Sequence, residues 1–241
     1  MWGIIPAAGM GTRIQPLAFS KELLPVGSFL NGTGERPRAV SEYLIERMVH
    51  AGVDKICFVI SPGKSDIVNY FGAHALSASI FYAVQQRPAG LCDAIFRALP
   101  LIPPEEHVCI GLPDTIWFPE TALANLPDGV LSLLLFPVDQ PQHFDAVVTR
   151  GDDNVTEVRV KNPETVTNWI WGAMKMPGAV LHELHRIWLD RNDEYLGTLF
   201  NAYMAQGGAI RAVKAGKSYV DVGTLNGYRE ALRLLDTHVR V

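Results

Sequence analysis

The chain has 241 residues, of which 48% are hydrophobic and 19% are charged, and its formal net charge is −4. A chain of this length can bury a large core, and we expect one domain over residues 1–241. The acidic balance argues against nucleic acid or an anionic membrane surface as a partner, because both favour a basic surface. No window reaches the roughly 18 uncharged apolar residues of a membrane span, so we expect a cytoplasmic protein.

Short apolar runs alternate with amphipathic stretches, a pattern that favours an α/β fold. We expect a Rossmann-like, mostly parallel mixed sheet that is flanked by helices. In chain order, the predicted strands are GIIPAA (3–8), KICFVIS (55–61), SIFYAVQ (79–85), HVCIGLP (107–113) and GVLSLLLFPV (129–138). The predicted helices cover residues 39–52, 64–72, 90–99, 177–191, 196–208 and 224–238.

Two helix ends have recognisable signals. Gly52 follows the first predicted helix and supplies a stop, since glycine accepts the backbone conformation found after many helices. Thr224 precedes the last predicted helix, where its hydroxyl can cap a free backbone N–H. We therefore expect helices to end and begin at these two residues.

The segment FDAVVTRGDDNVTEVRVKNPE, residues 144–164, predicts a β-hairpin, because two β-rich runs flank the turn residues GDDN. Asp152 and Asp153 lie at its tip, where adjacent acids usually form a solvated turn rather than a metal site. The return strand of the hairpin delivers Lys161.

The first predicted strand runs into a glycine-rich turn, GIIPAAGMGTR, which is typical of loops that hold phosphate with backbone N–H groups. It is no dinucleotide fingerprint, because Ile14 stands where a third glycine belongs, and hydride transfer is therefore disfavoured. It is no P-loop either, because Thr12 and not a lysine directly follows Gly11. Arg13 and Lys21 supply cations for a phosphate, which makes a plain structural turn the weaker interpretation.

Two aspartates follow strand-like runs: Asp114 in HVCIGLPDTIWF and Asp221 in KSYVDVGTLNGY. Ligands of open α/β sheets bind at the carboxyl ends of the strands, the edge that also carries the glycine loop. Mg²⁺ is commonly held by one or two carboxylates together with substrate phosphates. The pair therefore predicts a Mg²⁺ site, and a role in a helix cap or turn is the alternative for each acid.

The three cysteines, Cys57, Cys92 and Cys109, are odd in number and far apart in the sequence. This pattern makes a disulfide framework or a zinc site improbable.

Five segments occur in a characteristic order: AAGMGTRIQPLAFSKELLP, VQQRPAGLCDA, GLPDT, VKNPE and YVDVGT. In these segments the chain resembles the sugar-1-phosphate nucleotidyltransferases, in particular the glucose-1-phosphate thymidylyltransferases and the UTP-dependent uridylyltransferases. The resemblance spans roughly residues 3–230 and implies a glycosyltransferase-A-like fold with a hairpin insertion. It implies an NTP and a sugar 1-phosphate as substrates and Mg²⁺ as cofactor, and leaves open whether the chain forms a homo-oligomer.

The resemblance also implies a role for individual residues. Catalysis would depend on Arg13, which neutralises the leaving pyrophosphate, and on Lys21 beside the reacting phosphates. The metal would be bound by Asp114 and Asp221, and the sugar phosphate by Lys161 and Gly172. The nucleotide-binding residues that it implies are Ala8, Gly9, Gly11, Thr12, Gln85 and Gly90.

Some positions differ from the family pattern. Val160 stands before Lys161, where the family usually has a glutamate that bonds sugar hydroxyls, and Ala89 stands where aspartate is common. These changes raise an alternative, a catalytically weakened relative that binds nucleotide as a sensor or partner subunit. Trp169 and Trp171 either stack on the sugar or belong to the core, and the core is favoured. The AAG sequence at residues 7–9 favours dTTP or UTP, as in the pyrimidine-specific branches of the family.

Overall fold

The computed structural model describes residues 1–30, 32, 34–151 and 153–238, with no side chain described for His238. Asp152, at the tip of the predicted hairpin, lies outside the described residues. The strands are β1 Trp2–Pro6, β2 Pro25–Leu30, β3 Glu35–Ala39, β4 Lys55–Ile60, β5 His74–Ala75, β6 Ala78–Val84, β7 His107–Gly111, β8 Thr115–Phe118, β9 Leu131–Pro137, β10 Asp145–Arg150, β11 Asn154–Val160, β12 Trp169–Pro177, β13 Ile210–Val213 and β14 Ser218–Asp221. The α-helices are α1 Val40–His50, α2 Ser65–Phe71, α3 Gly90–Phe96, α4 Gly178–Arg191, α5 Leu196–Ala205 and α6 Leu225–His238.

Ten of the described strands form one mixed sheet in the order β10-β11-β13-β9-β12-β7-β1-β4-β6-β5. Strands β7, β1, β4 and β6 run parallel, as do β9 and β13. Strand β12 runs antiparallel between β7 and β9. The predicted α/β class is confirmed, although the sheet contains more antiparallel pairing than we expected, because β12 was not predicted as a strand and pairs antiparallel with both β7 and β9.

Helices cover both faces of the sheet and bury its apolar side chains. One face packs against α3, α4 and α5 through residues such as Phe96, Leu184 and Phe200. The other face packs against α1 and α2 through residues such as Leu44 and Ile67. This three-layer arrangement matches the continuous apolar runs of the predicted strands, which are buried on both faces.

The predicted helix ends at α1 and α6 are confirmed. Gly52 follows α1 with a φ of +90°, a conformation that side chains disfavour. Thr224 Oγ1 accepts a hydrogen bond from the Gly227 N–H at 3.0 Å, the geometry of an N-cap. Capping of α6 fixes the chain directly after Asp221, one of the predicted metal ligands.

Candidate active site

The glycine loop follows β1 at the carboxyl edge of the parallel strands. The Ala7 N–H donates to the Val59 carbonyl at 2.8 Å, which extends the β1–β4 pairing, and Ala8 is buried. Residues 9–13 are then exposed or half-buried. Gly11 has a φ of +64° and its carbonyl accepts the Ile14 N–H at 3.1 Å, so the chain turns here as a tight, accessible loop.

Lys21 packs directly against this loop. A Cβ atom added to Gly11 would lie 2.8 Å from Lys21 Cδ, so any larger residue would displace the lysine. Lys21 Nζ donates a hydrogen bond to Asp114 Oδ2. Burial lowers the pKa of Lys21, but the charges of Asp114, Glu22 and Asp221 outweigh burial and raise that pKa above its usual value. Lys21 is therefore an ammonium cation at neutral pH.

Gly223 is the point at which the two predicted metal ligands and Arg13 converge. Asp221 Oδ2 lies 3.1 Å from Arg13 Nη2, and Asp221 Oδ1 accepts the Gly223 N–H at 2.7 Å. A Cβ atom added to Gly223 would lie 3.0 Å from Arg13 Nη2 and 3.2 Å from Asp114 Oδ2. The predicted cluster of two carboxylates and two cations, including Lys21, is thus assembled from segments that are up to 208 residues apart.

A small two-stranded sheet, β8–β14, holds both aspartates in place. Asp221 pairs with Thr115 in its register, and the Val222 N–H donates to the Asp114 carbonyl at 2.8 Å. Thr115 Oγ1 donates to the Leu112 carbonyl at 3.0 Å and braces the turn between β7 and β8. The spacing of the two carboxylates therefore depends on backbone hydrogen bonds.

The Lys21 segment is anchored by residues that the sequence analysis missed. Asp66 accepts hydrogen bonds from the Ser20 N–H at 2.6 Å and from Ser20 Oγ at 2.7 Å. Lys64 Nζ lies 2.8 Å from both carboxylate oxygens of the fully buried Glu22. Burial raises the pKa of Glu22 despite the opposing charge of Lys64. No spacing signal links these residues, because the contacts join segments more than 40 positions apart.

Gln85 and Gly90, predicted to face a base, lie together at the start of α3. Gln85 is buried, and its Nε2 donates to the Gly90 carbonyl at 3.1 Å and to Asp93 Oδ2 at 2.8 Å. Gly90 has a φ of +86°, and a Cβ atom on it would lie 2.6 Å from Glu194 Cγ. The side-chain amide nitrogen of Gln85 thus links the loop before α3 to the first turn of α3. Base recognition by Gln85 and Gly90 stays a prediction.

Lys161 and Gly172 lie at one end of β11 and in β12. Lys161 is exposed, with its Nζ 4.5 Å from the centre of the Tyr195 ring. Gly172 is buried, and a Cβ atom on it would lie 2.6 Å from Tyr219 Cε2. The β12–β9 register shifts between Trp171 and Ala173, so Gly172 is the irregular residue of the ladder. Gly172 can therefore contact a ligand only through its backbone.

The two tryptophans next to Gly172 differ in burial. Trp171 is 6% exposed and belongs to the main core, as the sequence analysis favoured. Trp169 is partly buried, packs against the same core, and lies 5.7 Å beneath Lys214 Nζ.

A separate cavity of about 810 Å³ lies between α1, α2 and the β2–β3 hairpin. Its arginines are already neutralised, because Arg36 pairs with Glu42 at 2.7 Å and Arg38 pairs with Glu46 at 2.6 Å. It is therefore poorly suited to a polyanion and lies apart from the predicted site residues.

Oxygen ligands suit Mg²⁺, and the carboxylates of Asp114 and Asp221 both lie beside Gly223, so that substrate phosphates would have to supply the remaining ligands. No group of three His, Cys, Asp or Glu side chains that could hold a metal by itself is found among the described residues.

The three cysteines are buried and free. In the described part of the chain, no helix has the length and apolar character needed to cross a bilayer.

The doubly covered sheet and the converging charged groups are typical of α/β proteins that bind phosphorylated ligands at the carboxyl edge of their strands. The family model described as nucleotidyl transferase matches residues 2–238. The chain therefore belongs to the nucleotidyl transferase family, and the resemblance inferred from the motifs is confirmed.

Similar proteins carry related names. The UTP–glucose-1-phosphate uridylyltransferase of Haloferax volcanii is 24% identical, and the alignment covers 92% of this chain and 91% of that protein. The glucose-1-phosphate thymidylyltransferase of Neisseria meningitidis is 23% identical, with 98% and 83% covered. A Methanocaldococcus jannaschii relative is 32% identical over 138 residues, which cover 47% of this chain and 45% of the relative. The chain thus matches about half the length of that relative.

A solved structure has the same fold. The UTP-bound UGPase from Acinetobacter baumannii superposes with a TM-score of 0.79 over 97% of this chain and 92% of that chain, at 18% identity. The glycosyltransferase-A-like fold that the resemblance implied is confirmed by this neighbour.

Proposed function

We propose that this protein transfers a nucleotidyl group from dTTP or UTP to a sugar 1-phosphate and releases pyrophosphate. The observation that carries the proposal is the convergence of Arg13, Lys21, Asp114 and Asp221 around Gly223, beside the glycine loop. Family membership and the names of the full-length relatives support the same reaction. The alternative of a relative that binds nucleotide without turnover gains no support from these comparisons.

The reaction is an in-line displacement at the α-phosphorus of the NTP. A phosphate oxygen of the sugar 1-phosphate forms a bond to this phosphorus, and the bond to the bridging oxygen of the β-phosphate breaks, so that pyrophosphate leaves with the electron pair. The nucleophile is already ionised at neutral pH, and no general base is needed. The main barrier is the repulsion between two polyanions.

Three cationic side chains of this protein would reduce the repulsion between the two polyanionic substrates. Lys21, kept protonated by Asp114, would lie against the α-phosphate, and Arg13 would stabilise charge on the departing pyrophosphate. Each cation pairs with one of the two carboxylates, Lys21 with Asp114 and the more exposed Arg13 with Asp221. Lys161 would bind the phosphate of the sugar.

Asp114 and Asp221 are the residues that would hold Mg²⁺. A bound Mg²⁺ ion supplies charge neutralisation to the phosphate oxygens. Each aspartate now neutralises a cation, so metal binding would share these carboxylates with Lys21 and Arg13. With Mg²⁺ bound, the site would carry a net positive charge, which would neutralise part of the negative charge of the substrate phosphates.

The test is pyrophosphate release with Mg²⁺ across the common NTPs and a panel of hexose and hexosamine 1-phosphates. Turnover with a pyrimidine NTP and one sugar 1-phosphate is the expected result. Thermal-shift binding of an NTP without pyrophosphate release from any pair would contradict the proposal.

A further inference from the structure

A carboxylate that the sequence analysis did not single out lies beside Lys161. Asp145 is the first residue of β10 and pairs with Val160, the residue before Lys161. Its Oδ2 accepts a hydrogen bond from Trp171 Nε1 at 3.4 Å, and the Gly197 N–H also donates to the carboxylate. Three strands and the first turn of α5 therefore meet at this side chain.

No ion pair to Asp145 is found among the described residues. The nearby Lys161 acts on it only through space, because its ammonium lies over the Tyr195 ring. Burial raises the pKa of Asp145, and the Trp171 bond and the Lys161 charge oppose that effect without cancelling it. A largely buried carboxylate without an ionic partner lowers the stability of the folded state. Packing alone therefore does not explain why position 145 is an aspartate.

Asp145 lies next to the predicted sugar-phosphate lysine. The carbonyl of the preceding residue, Phe144, accepts the Lys161 N–H at 3.0 Å. The Phe144 ring packs against the Tyr219 ring, with centres 6.0 Å apart, and Tyr219 stands two residues before Asp221 in β14. Asp145 is therefore beside Lys161, and its neighbour in the chain contacts the strand that ends at Asp221.

Sugar recognition requires acceptors for hydroxyl hydrogens. Val160, at the position where the family usually has a glutamate, offers none, but Asp145 lies directly across the β10–β11 ladder from it. We propose that Asp145 accepts hydrogen bonds from hydroxyls of the sugar 1-phosphate and selects among sugars, with Trp171 Nε1 orienting its carboxylate. This inference rests on the proposed function and places the missing acceptor on the neighbouring strand.

The test compares Asp145→Asn and Asp145→Ala with the wild type in steady-state pyrophosphate release. The acceptors are glucose, galactose, mannose and N-acetylglucosamine 1-phosphates, together with monodeoxy analogues of the one turned over best. Asp139→Asn is the matched control, since Asp139 is an exposed acid between β9 and β10. Circular dichroism checks folding, and the isosteric Asn variant remains informative if the Ala variant does not fold.

We expect KM for the sugar 1-phosphate to rise about tenfold or more in Asp145→Ala, since bonds to charged groups are among the strong ones, while KM for the NTP stays within about twofold. With the deoxy analogue that lacks the contacted hydroxyl, variant and wild type should differ little. Asp139→Asn should behave as the wild type.

Two results would overturn the inference while leaving the proposed function intact. One is an unchanged KM for the sugar 1-phosphate, and the other is an equal loss for both substrates at every deoxy analogue, as a purely structural role predicts. A wild-type protein that turns over no substrate pair would overturn the proposed function and this inference together.

Discussion

Lys64 and Glu22 form a buried ion pair at 2.8 Å, one residue away from Lys21. Removing one partner of such a pair leaves an uncompensated charge and costs about 3–5 kcal/mol. We therefore expect Lys64→Met to lower the free energy of unfolding by roughly that amount and to reduce kcat through Lys21. Chemical denaturation and turnover assays measure the two effects. Adding Glu22→Gln should restore part of the stability, and a double variant as unstable as Lys64→Met would contradict this account.

The two aspartates at Gly223 predict a loss of turnover without a loss of fold. Asp114→Asn removes the charge that faces Lys21 and the proposed metal, and we expect kcat to fall by about 100-fold or more. Mn²⁺ binding, followed by electron paramagnetic resonance, should weaken in parallel. Full activity of this variant, or unchanged Mn²⁺ affinity, would remove Asp114 from the metal site.

Replacing Lys161 is expected to weaken the binding of the sugar 1-phosphate much more than the binding of the NTP. Lys161→Ala removes a charge-assisted bond to the sugar phosphate, so we expect KM for the sugar 1-phosphate to rise about tenfold or more, with a far smaller change for the NTP. Lys214→Ala is the control, since Lys214 is another cation stacked over an aromatic ring. Equal losses for both substrates would argue against the assigned role.

Replacing Asp145 is expected to raise the stability of the fold while it weakens binding of the sugar 1-phosphate. Because burial raises its pKa in the folded state above the ordinary 3.8, the ionised form lowers stability at pH values above the folded pKa. We expect Asp145→Asn to unfold at a higher temperature than the wild type at pH 7.5. This difference should disappear as the pH falls well below 3.8, where the carboxyl is protonated in both the folded and the unfolded state. A variant that is less stable at pH 7.5 would assign Asp145 a structural role.

The three cysteines predict inertness toward thiol reagents. Burial raises the pKa of each thiol to about 12, so almost no thiolate is present at neutral pH. We expect no rapid reaction with 5,5′-dithiobis(2-nitrobenzoic acid) in the native protein and reaction of all three in guanidinium chloride. A fast native reaction of any thiol would reveal local opening of the core.

Elements with strong local patterns were predicted from the sequence, whereas the strands β2, β3, β5, β8 and β13 were not. The apolar runs located β4 and β7 within one or two residues of their observed ends, and the turn residues located the β10–β11 hairpin. Strand β12 was missed as a strand, since the apolar run WIWGAMKMP carries a glycine irregularity and no alternation. The motifs brought Arg13 and Asp221 into one expected site, and the structure places them 3.1 Å apart.

Contacts across long sequence separations escaped the sequence analysis. The Ser20–Asp66 bonds and the Glu22–Lys64 pair depend on how α2 packs, which no spacing encodes. Asp145 had a signal that was overlooked, because the predicted hairpin already places it opposite the residue before Lys161. The register of the predicted hairpin could therefore have identified Asp145 from the sequence alone.

Strand β12 has a mechanical consequence for the proposed reaction. It pairs with β7, which leads to Asp114, over Ala173–Pro177, while its other end carries Trp171 and Gly172. One continuous strand thus joins the strand that leads to Asp114 to the residues next to the proposed sugar-phosphate site. The separation between donor and acceptor phosphates would be set when the chain folds, rather than by a hinge closing over the substrates. A one-residue slip of this strand would turn its side chains to the opposite face and misalign the two reactants.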